Sequence, residues 1–190
     1  MDKKTLRTEI KARIAAIDSD YITESDHAIA QNIVSLPEFV SASRVFTYLS
    51  IGREVDTREI IEHCLKIGKT LALPFNYENG AMSFACLDCP VDELRLGMFG
   101  IPTPSEASDK LIPEKGDIIL VPALCYDEDF YRLGRGGGYY DRYLSTFRIF
   151  SVGLCREKQL LASVPTDEFD MRVDCIVTEK GTRGQYRPRK

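Results

Sequence analysis

The sequence predicts an α/β fold in which helices cover both faces of a mostly parallel β-sheet. Short apolar segments of strand length alternate along the chain with longer segments in which apolar residues recur every three or four positions. Some of the short segments, such as residues 118–121, are apolar throughout, as is typical of parallel strands buried on both faces. The chain has 190 residues, 44% of them hydrophobic, so we expect residues 1–190 to form a single domain around one core.

Helical periodicity is strongest in the first part of the chain. Residues 6–17 carry isoleucine or leucine every three or four positions. A second helix is expected to begin near Thr23, whose hydroxyl can cap it, and to end before Pro37. A third helix is expected over residues 55–67, with Gly68 at its end.

Short apolar runs predict the strands of the sheet. They lie at residues 44–50, 70–74, 82–86, 118–121, 149–154 and 175–177. Residues 97–115 are rich in proline and glycine, but they also contain Met98, Phe99 and Ile101, which are unusual in a free linker. We therefore interpret this region as an ordered connection within the domain.

The charge of the chain limits its partners. A net charge of −4 and an isoelectric point near 5.3 argue against a general nucleic-acid binder. The N-terminus lacks the apolar run of a signal peptide, and no segment reaches the length of a membrane span. We therefore expect a cytoplasmic protein without a nucleic-acid or membrane partner. The sequence does not indicate an oligomeric state, and a monomer is the default expectation. The one basic concentration is the C-terminal tail, with Arg183, Arg187, Arg189 and Lys190.

The six cysteines are expected to be reduced thiols, as is usual in the cytosol. Cys86 and Cys89 form one Cys-x-x-Cys pair, without a second pair or nearby histidines. A structural zinc site needs four ligands, so no zinc site is expected here.

The most informative segment is Arg132-Leu-Gly-Arg-Gly-Gly-Gly-Tyr-Tyr-Asp-Arg142, which lies between a predicted strand and a helical pattern. Its glycines allow backbone conformations closed to other residues and a close approach to a ligand. The start of the helix offers unpaired N–H groups and a positive dipole end, and two arginines flank the glycines. This combination favours a bound phosphate chain. Asp141, in the first helical turn, is then a candidate ligand for the magnesium that accompanies a nucleotide.

Other interpretations of this glycine-rich segment fit less well. It is not a Walker A loop, which ends in Gly-Lys-Ser/Thr, and it lacks the Gly-x-Gly-x-x-Gly spacing of a dinucleotide site. Arg-Gly-Gly segments of RNA-binding tails recur in disordered chain, whereas this one occurs once between two ordered elements. A tight turn without a ligand stays open as an alternative.

The predicted topology brings distant segments together, because ligands of parallel sheets gather at the carboxyl ends of the strands. The segments that follow Leu49, Val121 and Leu154 should converge there. We therefore expect Glu54, the glycine-rich segment and Arg156 in one neighbourhood.

Several motifs occur in order along the chain. They are Lys3-Lys-Thr-Leu-Arg7, Tyr48-Leu-Ser-Ile-Gly-Arg-Glu-Val-Asp-Thr57, Phe99-Gly-Ile-Pro102, Val121-Pro122, the glycine-rich segment, Val164-Pro165 and Phe169-Asp-Met-Arg-Val-Asp174. Through them the chain resembles, nearly end to end, the 5-formyltetrahydrofolate cyclo-ligase family, also called 5,10-methenyltetrahydrofolate synthetase. The element Arg-Leu-Gly-x-Gly-x-Gly-Tyr-Tyr-Asp is highly specific to this family.

The resemblance implies a Rossmann-like, three-layer α/β/α fold of the CoA-transferase kind. It also implies that reduced folate and ATP are the substrates, with Mg²⁺ as cofactor. ATP then drives the conversion of 5-formyltetrahydrofolate into 5,10-methenyltetrahydrofolate, with release of ADP and phosphate. Phosphoryl transfer needs alignment and charge neutralisation rather than a protein nucleophile. This agrees with the lack of a Ser–His or Cys–His arrangement around His27 and His63.

Roles of individual residues also follow from the resemblance. The expected catalytic residues are Arg135 and Lys3. ATP binding is assigned to Lys3, Lys4, Arg7, Arg132, Leu133, Gly134, Arg135, Gly136, Gly137, Gly138, Tyr139 and Tyr140. Substrate binding is assigned to Arg7, Leu49, Glu54, Arg135 and Tyr139, with the Glu54 carboxylate on the donor edge of the pterin. Metal binding is assigned to Asp141 and Asp170.

Without the resemblance, Lys3 and Arg7 fit a solvated helix face and Glu54 fits the start of the following helix. The chain also departs from its relatives. Gly137 stands where some of them have lysine, Thr103 where many have an acid, and Phe169 where a polar residue is usual.

Two other functions stay open. One is a folate-binding paralogue with little turnover, and the other is an ATP-dependent enzyme of the same fold that acts on another N-formyl or amide substrate. The basic C-terminal tail is a candidate for attracting an anionic polyglutamate tail of the substrate.

Overall fold

A computed structural model describes residues 2–76, 80–97 and 100–184 of the chain. Within these ranges it confirms the α/β fold predicted from the alternation of strands and helices. The helices are α1 (Lys3–Ala15), α2 (Ser19–Val34), α3 (Pro37–Ser41), α4 (Arg58–Lys66) and α5 (Tyr139–Thr146). No helix in this part of the chain is both long enough and apolar enough to cross a membrane.

Six of the eight described strands of the main sheet overlap the predicted apolar runs, and two short ones, at residues 110–111 and 181–183, were not predicted. The eight strands are β1 (Arg44–Phe46), β2 (Thr70–Asn76), β3 (Ser83–Cys86), β6 (Lys110–Leu111), β7 (Ile118–Val121), β10 (Phe150–Leu154), β12 (Cys175–Thr178) and β13 (Gly181–Arg183). Shorter strands outside this sheet are β4 (Arg95–Leu96), β5 (Pro102–Thr103), β8 (Cys125–Asp127), β9 (Arg132–Leu133) and β11 (Leu160–Leu161).

Within the described ranges, the main sheet has eight strands in the order β13-β12-β10-β7-β1-β2-β3-β6. Its centre is parallel: β1 pairs with both β2 and β7, and β10 pairs with β7 and β12. The outer pairs β2–β3, β3–β6 and β12–β13 are antiparallel. The strand order reverses direction at β1, which has β2 on one side and β7 on the other. Such a reversal opens a crevice at the carboxyl ends of the two strands.

Alternate residues of β7 divide the core into two layers, because successive side chains of a strand point to opposite faces. Ile118 and Leu120 pack in a cluster with the buried faces of α2 and α4. Ile119 and Val121 pack in another cluster with Tyr143 of α5. Helices therefore cover both faces of the sheet, which confirms the three-layer α/β/α arrangement.

Helix α1 lies over the small sheet of β11, β8 and β9 rather than over the main one. Its buried residues Leu6, Ile10 and Ile14 form a cluster with Leu124 and Leu133. Leu133 belongs to the glycine-rich segment, so this packing brings the N-terminal helix to that segment.

Three boundaries differ from the predictions by three residues or more, and the short helix α3 was not predicted. Helix α4 begins at Arg58 rather than at residue 55. Helix α2 begins at Ser19, four residues before Thr23, because the Asp18 side chain accepts hydrogen bonds from the Asp20 and Tyr21 backbone N–H groups and caps it. Strand β1 ends at Phe46. The Thr47 N–H still donates to the Ala72 carbonyl of β2 at 2.9 Å. The residues after it, among them the buried Tyr48 and Leu49, form a segment that leads to α4 at Arg58.

The region 97–115 is an ordered connection where it is described, since it contains β5 and β6. Met98 and Phe99 lie outside the described residues, as does the basic tail beyond Gly184. All six cysteines are free thiols, as predicted.

Candidate active site

A cavity of about 1020 Å³ opens at the crevice between β1 and β7. Leu49 and Ile51, which follow β1, and Pro122 and Ala123, which follow β7, line it. This volume is in the upper range of small-molecule binding sites. The glycine-rich segment and the N-terminus of α1 complete the wall.

The glycine-rich segment adopts backbone conformations that require glycine. Gly136 has φ +106° and Gly138 has φ +65°, both in the region that other residues avoid. Gly138 is the N-cap of α5, and no side chain caps the helix there. The N–H groups in the first turn of an α-helix point towards its N-terminal end, and Gly138 at that end of α5 lines the cavity. The segment therefore has the backbone of an anion-binding site.

Gly137 allows a close contact with an aromatic ring. A Cβ atom at this position would lie 2.6 Å from Cε2 of Tyr139. A lysine, which some relatives carry here, would require the ring to move. The departure at Gly137 therefore matches the way Tyr139 is packed in this chain.

Arg135 and Glu54 form an ion pair within the cavity. The Arg135 Nε and Nη2 donate to Glu54 Oε1 at 3.0 and 2.8 Å. Glu54 Oε2 accepts from the Ile51 backbone N–H at 3.0 Å. The Arg135 side chain is 54% exposed, whereas that of Glu54 is 14% exposed. Glu54 does not cap a helix, since α4 begins four residues later. The predicted proximity of Glu54 to the glycine-rich segment is confirmed.

Lys3 and Arg7 extend from one face of α1 to the cavity wall. Lys3 Nζ donates to Asp167 at 2.6 Å and to Asp170 at 2.5 Å. Partial burial opposes the shift, but these hydrogen bonds raise the pKa of Lys3 above its ordinary value. Arg7 Nε donates to the Gly134 carbonyl at 2.9 Å. Two cations therefore stand beside the glycine-rich segment.

Arg132 is buried in the wall rather than exposed within the cavity. Its Nη1 donates to the Met171 carbonyl and its Nη2 to Asp141 Oδ1, both at 2.7 Å. Asp141 Oδ1 also accepts from the Met171 N–H at 3.0 Å. Arg132 therefore fixes Asp141 and the segment around Met171, and it also belongs to the cavity lining.

The cavity brings together almost all residues that the sequence assigned to the site. Its lining includes Lys3, Arg7, Leu49, Glu54, Arg132, Leu133, Gly134, Arg135, Gly136, Gly137, Gly138, Tyr139, Tyr140, Asp141 and Asp170. Lys4 is not among them: it is exposed on α1, outside the cavity lining. Lys3 and Arg7 share a face of α1 because they are about one helical turn apart, whereas the Lys4 side chain lies on a different face.

Aromatic and apolar side chains supply the rest of the wall. Leu49 is buried, belongs to the core and also lines the cavity. Tyr139 and Tyr140 are partly buried against the α5-side core. The Arg142 guanidinium lies over the Tyr139 ring at 5.2 Å.

Sequence reasoning missed several cavity residues. Asp167, Glu168 and Arg142 line the cavity, and Asp167 pairs with Lys3. Asp167 and Glu168 lie in an irregular segment, where no periodicity shows the direction of a side chain. The missed signal was their position just before Asp170. Phe169 also lines the cavity and is 74% exposed.

The two carboxylates assigned to magnesium lie in the cavity wall. In the described chain, no three His, Cys, Asp or Glu side chains form a metal-binding group. The described hydrogen bonds of Asp141 fall on Oδ1 and those of Asp170 on Oδ2. Each carboxylate thus has a second oxygen, and a pair of carboxylates fits Mg²⁺ that is also bound by substrate phosphates.

Comparisons with known proteins cover nearly the whole chain. A sequence model of the 5-formyltetrahydrofolate cyclo-ligase family matches residues 1–179. The Escherichia coli 5-formyltetrahydrofolate cyclo-ligase is 30% identical, over 89% of this chain and 96% of its own length. A Schizosaccharomyces pombe protein described as a probable 5-formyltetrahydrofolate cyclo-ligase is 28% identical, over 94% of this chain and 95% of its own.

A solved structure supports the same grouping. The NMR structure of Aquifex aeolicus 5,10-methenyltetrahydrofolate synthetase has a TM-score of 0.84 and 34% identity to this chain. The match covers 100% of this chain and 96% of that one. The fold, the cavity and the sequence matches therefore agree, and the chain belongs to the 5-formyltetrahydrofolate cyclo-ligase family.

Proposed function

We propose that this protein uses ATP to convert 5-formyltetrahydrofolate into 5,10-methenyltetrahydrofolate, with release of ADP and phosphate. One observation supports this function most directly. Arg135, assigned to the reacting phosphate, and Glu54, assigned to the folate, are in contact at 2.8 Å within one cavity. A site that binds both substrates side by side needs this proximity.

The reaction proceeds in two steps that balance without a protein nucleophile. The formyl oxygen attacks the γ-phosphorus of ATP, the bond to the bridging oxygen breaks, and ADP leaves. The folate's N10 then attacks the activated formyl carbon and loses its proton, and phosphate leaves with the formyl oxygen. The product is the five-membered methenyl ring. The protein aligns the groups and neutralises the charge on the phosphates.

The basic residues and the glycine-rich backbone take the phosphate side of the site. The N–H groups at the start of α5 bind phosphate oxygens, and Lys3 and Arg7 supply positive charge from α1. Arg135 lines the cavity with a side chain that is 54% exposed, and it exchanges Glu54 for the transferring phosphate. Because the charge on that group is largest in the transition state, Arg135 acts mainly on turnover.

Glu54 takes the folate side. Its carboxylate accepts hydrogen bonds from the paired N–H groups of the pterin edge, for which its two oxygens are suited. Leu49 and Tyr139 offer the apolar surface on which the ring system lies. Release of Arg135 to the phosphate leaves Glu54 Oε1 open for this contact.

Asp141 and Asp170 would hold Mg²⁺ together with the phosphates of ATP. The ion supplies positive charge that neutralises the phosphate oxygens. Lys3 now donates to Asp170, so on ATP binding it shifts from the carboxylate towards the phosphates.

The protein acts, in this proposal, as a single domain of residues 1–190 and as a cytoplasmic monomer. The core clusters on both faces of one sheet support the single domain. Light scattering after size-exclusion chromatography tests the monomer, and a mass of 21.5 kDa is expected.

Conversion of 5-formyltetrahydrofolate in the presence of ATP and Mg²⁺ tests the function. The methenyl product is followed by its near-ultraviolet absorbance, and ADP is measured in parallel. Equal amounts of both are expected. Absence of product with folate still bound would favour a folate-binding paralogue. Absence of both would favour another N-formyl or amide substrate.

A further inference from the structure

Arg156 is a fully buried arginine whose guanidinium has no contact with solvent. It follows β10 and lies behind the cavity wall, outside the cavity lining. An arginine side chain has five N–H donors. Five hydrogen bonds leave this one, so every donor is used. Such a group is held in one position, and it holds its partners in turn.

The partners of Arg156 include the backbone of the segment that carries Glu54. Nε and Nη2 donate to the two carboxylate oxygens of Asp26 in α2, at 2.8 and 2.7 Å. Nη1 donates to the Arg53 carbonyl at 3.0 Å, and Nη2 donates to the Glu54 carbonyl at 3.0 Å. Asp26 also accepts from the Asp56 N–H at 3.2 Å. The guanidinium thus fixes the main chain on both sides of the Glu54 side chain.

The same network reaches the glycine-rich segment. Arg156 Nη1 donates to Gln159 Oε1 at 3.1 Å, and Gln159 Nε2 donates to the Leu124 carbonyl at 2.9 Å. The Leu124 N–H donates at 2.9 Å to the carbonyl of Leu133, which belongs to that segment. Arg156 is therefore connected to the backbone on both sides of the cavity.

We propose that Arg156 is a positioning residue that sets the place of the Glu54 carboxylate relative to the glycine-rich segment, and thereby the affinity for the folate. This inference rests on the proposed function of Glu54. The Glu54 side chain has two described partners, Arg135 and the Ile51 N–H. Once Arg135 turns to the phosphate, the carboxylate keeps only the Ile51 N–H of these two partners. Its place then depends largely on its own backbone, which Arg156 holds.

A lysine cannot replace Arg156 in this role. It keeps the positive charge but offers one compact ammonium in place of a rigid planar fork. It can reach Asp26 or the Arg53 and Glu54 carbonyls, but it cannot hold both sets in the same geometry. The segment that carries Glu54 would then move from its present position. Even a small displacement of a binding group is costly for substrate positioning.

The test compares Arg156→Lys with wild type by separate KM values for 5-formyltetrahydrofolate and ATP, together with kcat. We expect the folate KM to rise by about tenfold or more, while the ATP KM changes by less than about twofold. A residue that only stabilises the fold would leave both KM values of the folded fraction unchanged, and that result would overturn the proposal.

The Arg44–Asp117 pair provides a matched control. Arg44 donates through Nε and Nη2 to Asp117 at 3.0 and 2.6 Å, and it lies at the start of β1, the end of the sheet opposite the cavity. Arg44→Lys loses the same kind of fork, so both KM values should stay as in wild type. If Arg44→Lys raised the folate KM as much as Arg156→Lys does, the effect would be a general consequence of loosened packing and the proposal would fail.

Two further variants keep the test decisive. If Arg156→Lys fails to fold, the KM values of Gln159→Met are compared with wild type instead. This variant removes one hydrogen-bond partner of Arg156 and leaves its ion pair with Asp26. Glu54→Gln measures the contribution of the carboxylate itself. If the folate KM rises in Glu54→Gln but stays unchanged in the folded Arg156 and Gln159 variants, the inference about Arg156 is refuted and the proposed function of Glu54 is not. An unchanged folate KM in Glu54→Gln would instead refute the proposed function of Glu54.

Discussion

Two arginine–carboxylate pairs lie on opposite sides of the segment that carries Glu54, and they differ in burial. The Arg135–Glu54 pair faces the cavity, and its arginine side chain is 54% exposed. The Arg156–Asp26 pair lies behind the segment, and its arginine side chain is 0% exposed. The first pair can exchange its partners for ligands, whereas the second has no access to them. The difference indicates that one arginine serves the reaction and the other holds the geometry in which it occurs.

The energetics of the two pairs follow from burial. The Arg135–Glu54 pair should contribute little to stability, because its arginine is half exposed and Glu54, although 14% exposed, lines the open cavity where water can solvate its charge. Removal of one member of a buried pair leaves the other charge without a partner and without solvent. Substitution at the two arginines should therefore separate loss of turnover from loss of stability.

The largest expected effect on stability is that of Arg156→Met. This change leaves Asp26 buried without its partner and should lower the free energy of unfolding by about 3–5 kcal/mol. Urea denaturation followed by circular dichroism measures it. The double variant with Asp26→Leu, which removes both charges, should recover part of the loss. Equal destabilisation by Arg135→Ala would show that the two pairs do not differ as described.

The largest expected effect on turnover is that of Arg135→Ala. Without its charge on the transferring phosphate, kcat should fall by roughly two powers of ten or more, which is about 3 kcal/mol. The KM for ATP should change much less. Steady-state kinetics with saturating folate distinguish the two parameters. A loss of ATP affinity at unchanged kcat would make Arg135 a residue that only positions ATP.

A smaller effect is expected from Glu54→Gln, which keeps the shape of the side chain and removes its charge. The KM for 5-formyltetrahydrofolate should rise by about tenfold, because the pterin loses a charge-assisted hydrogen bond. ATP binding, measured by calorimetry without folate, should be retained. Unchanged turnover at low folate would contradict the assignment of Glu54 to the pterin.

The smallest effect concerns pH. Hydrogen bonds to Asp167 and Asp170 outweigh partial burial and raise the pKa of Lys3 above 10.5. Lys3 therefore stays positively charged at every pH below this raised pKa and loses its proton only at higher pH. The KM for ATP should therefore stay constant from about pH 7 to pH 9. A rise within this range that disappears in Lys3→Gln would show that Lys3 loses its proton earlier than its surroundings imply.

The sequence predicts the fold and most of the site because their signals are local. Apolar runs of strand length locate the sheet, and the glycine-rich segment marks its own position. The periodicity of α1 also contains the distinction between Lys3, which reaches the cavity, and Lys4, which does not. Helix geometry separates the two lysines, but the roles assigned by resemblance included Lys4 among the ATP-binding residues.

The partners of Arg156 could not be predicted in the same way. Asp26 lies 130 positions away along the chain, and no spacing links the two residues. Their contact depends on how α2 packs on the sheet and on how the segment after β1 leaves it. The end of β1 at Phe46 was not visible either, because Tyr48 and Leu49 are apolar and buried although they lie beyond the strand.

The central claim is that the exposed pair serves the reaction without supporting the fold. It is tested most directly by measuring methenyltetrahydrofolate formation and urea denaturation side by side for wild type and Arg135→Ala. We predict that turnover falls by about two powers of ten while the free energy of unfolding changes by less than about 1 kcal/mol. Turnover equal to that of wild type, or a loss of stability large enough to account for the lost activity, would contradict it.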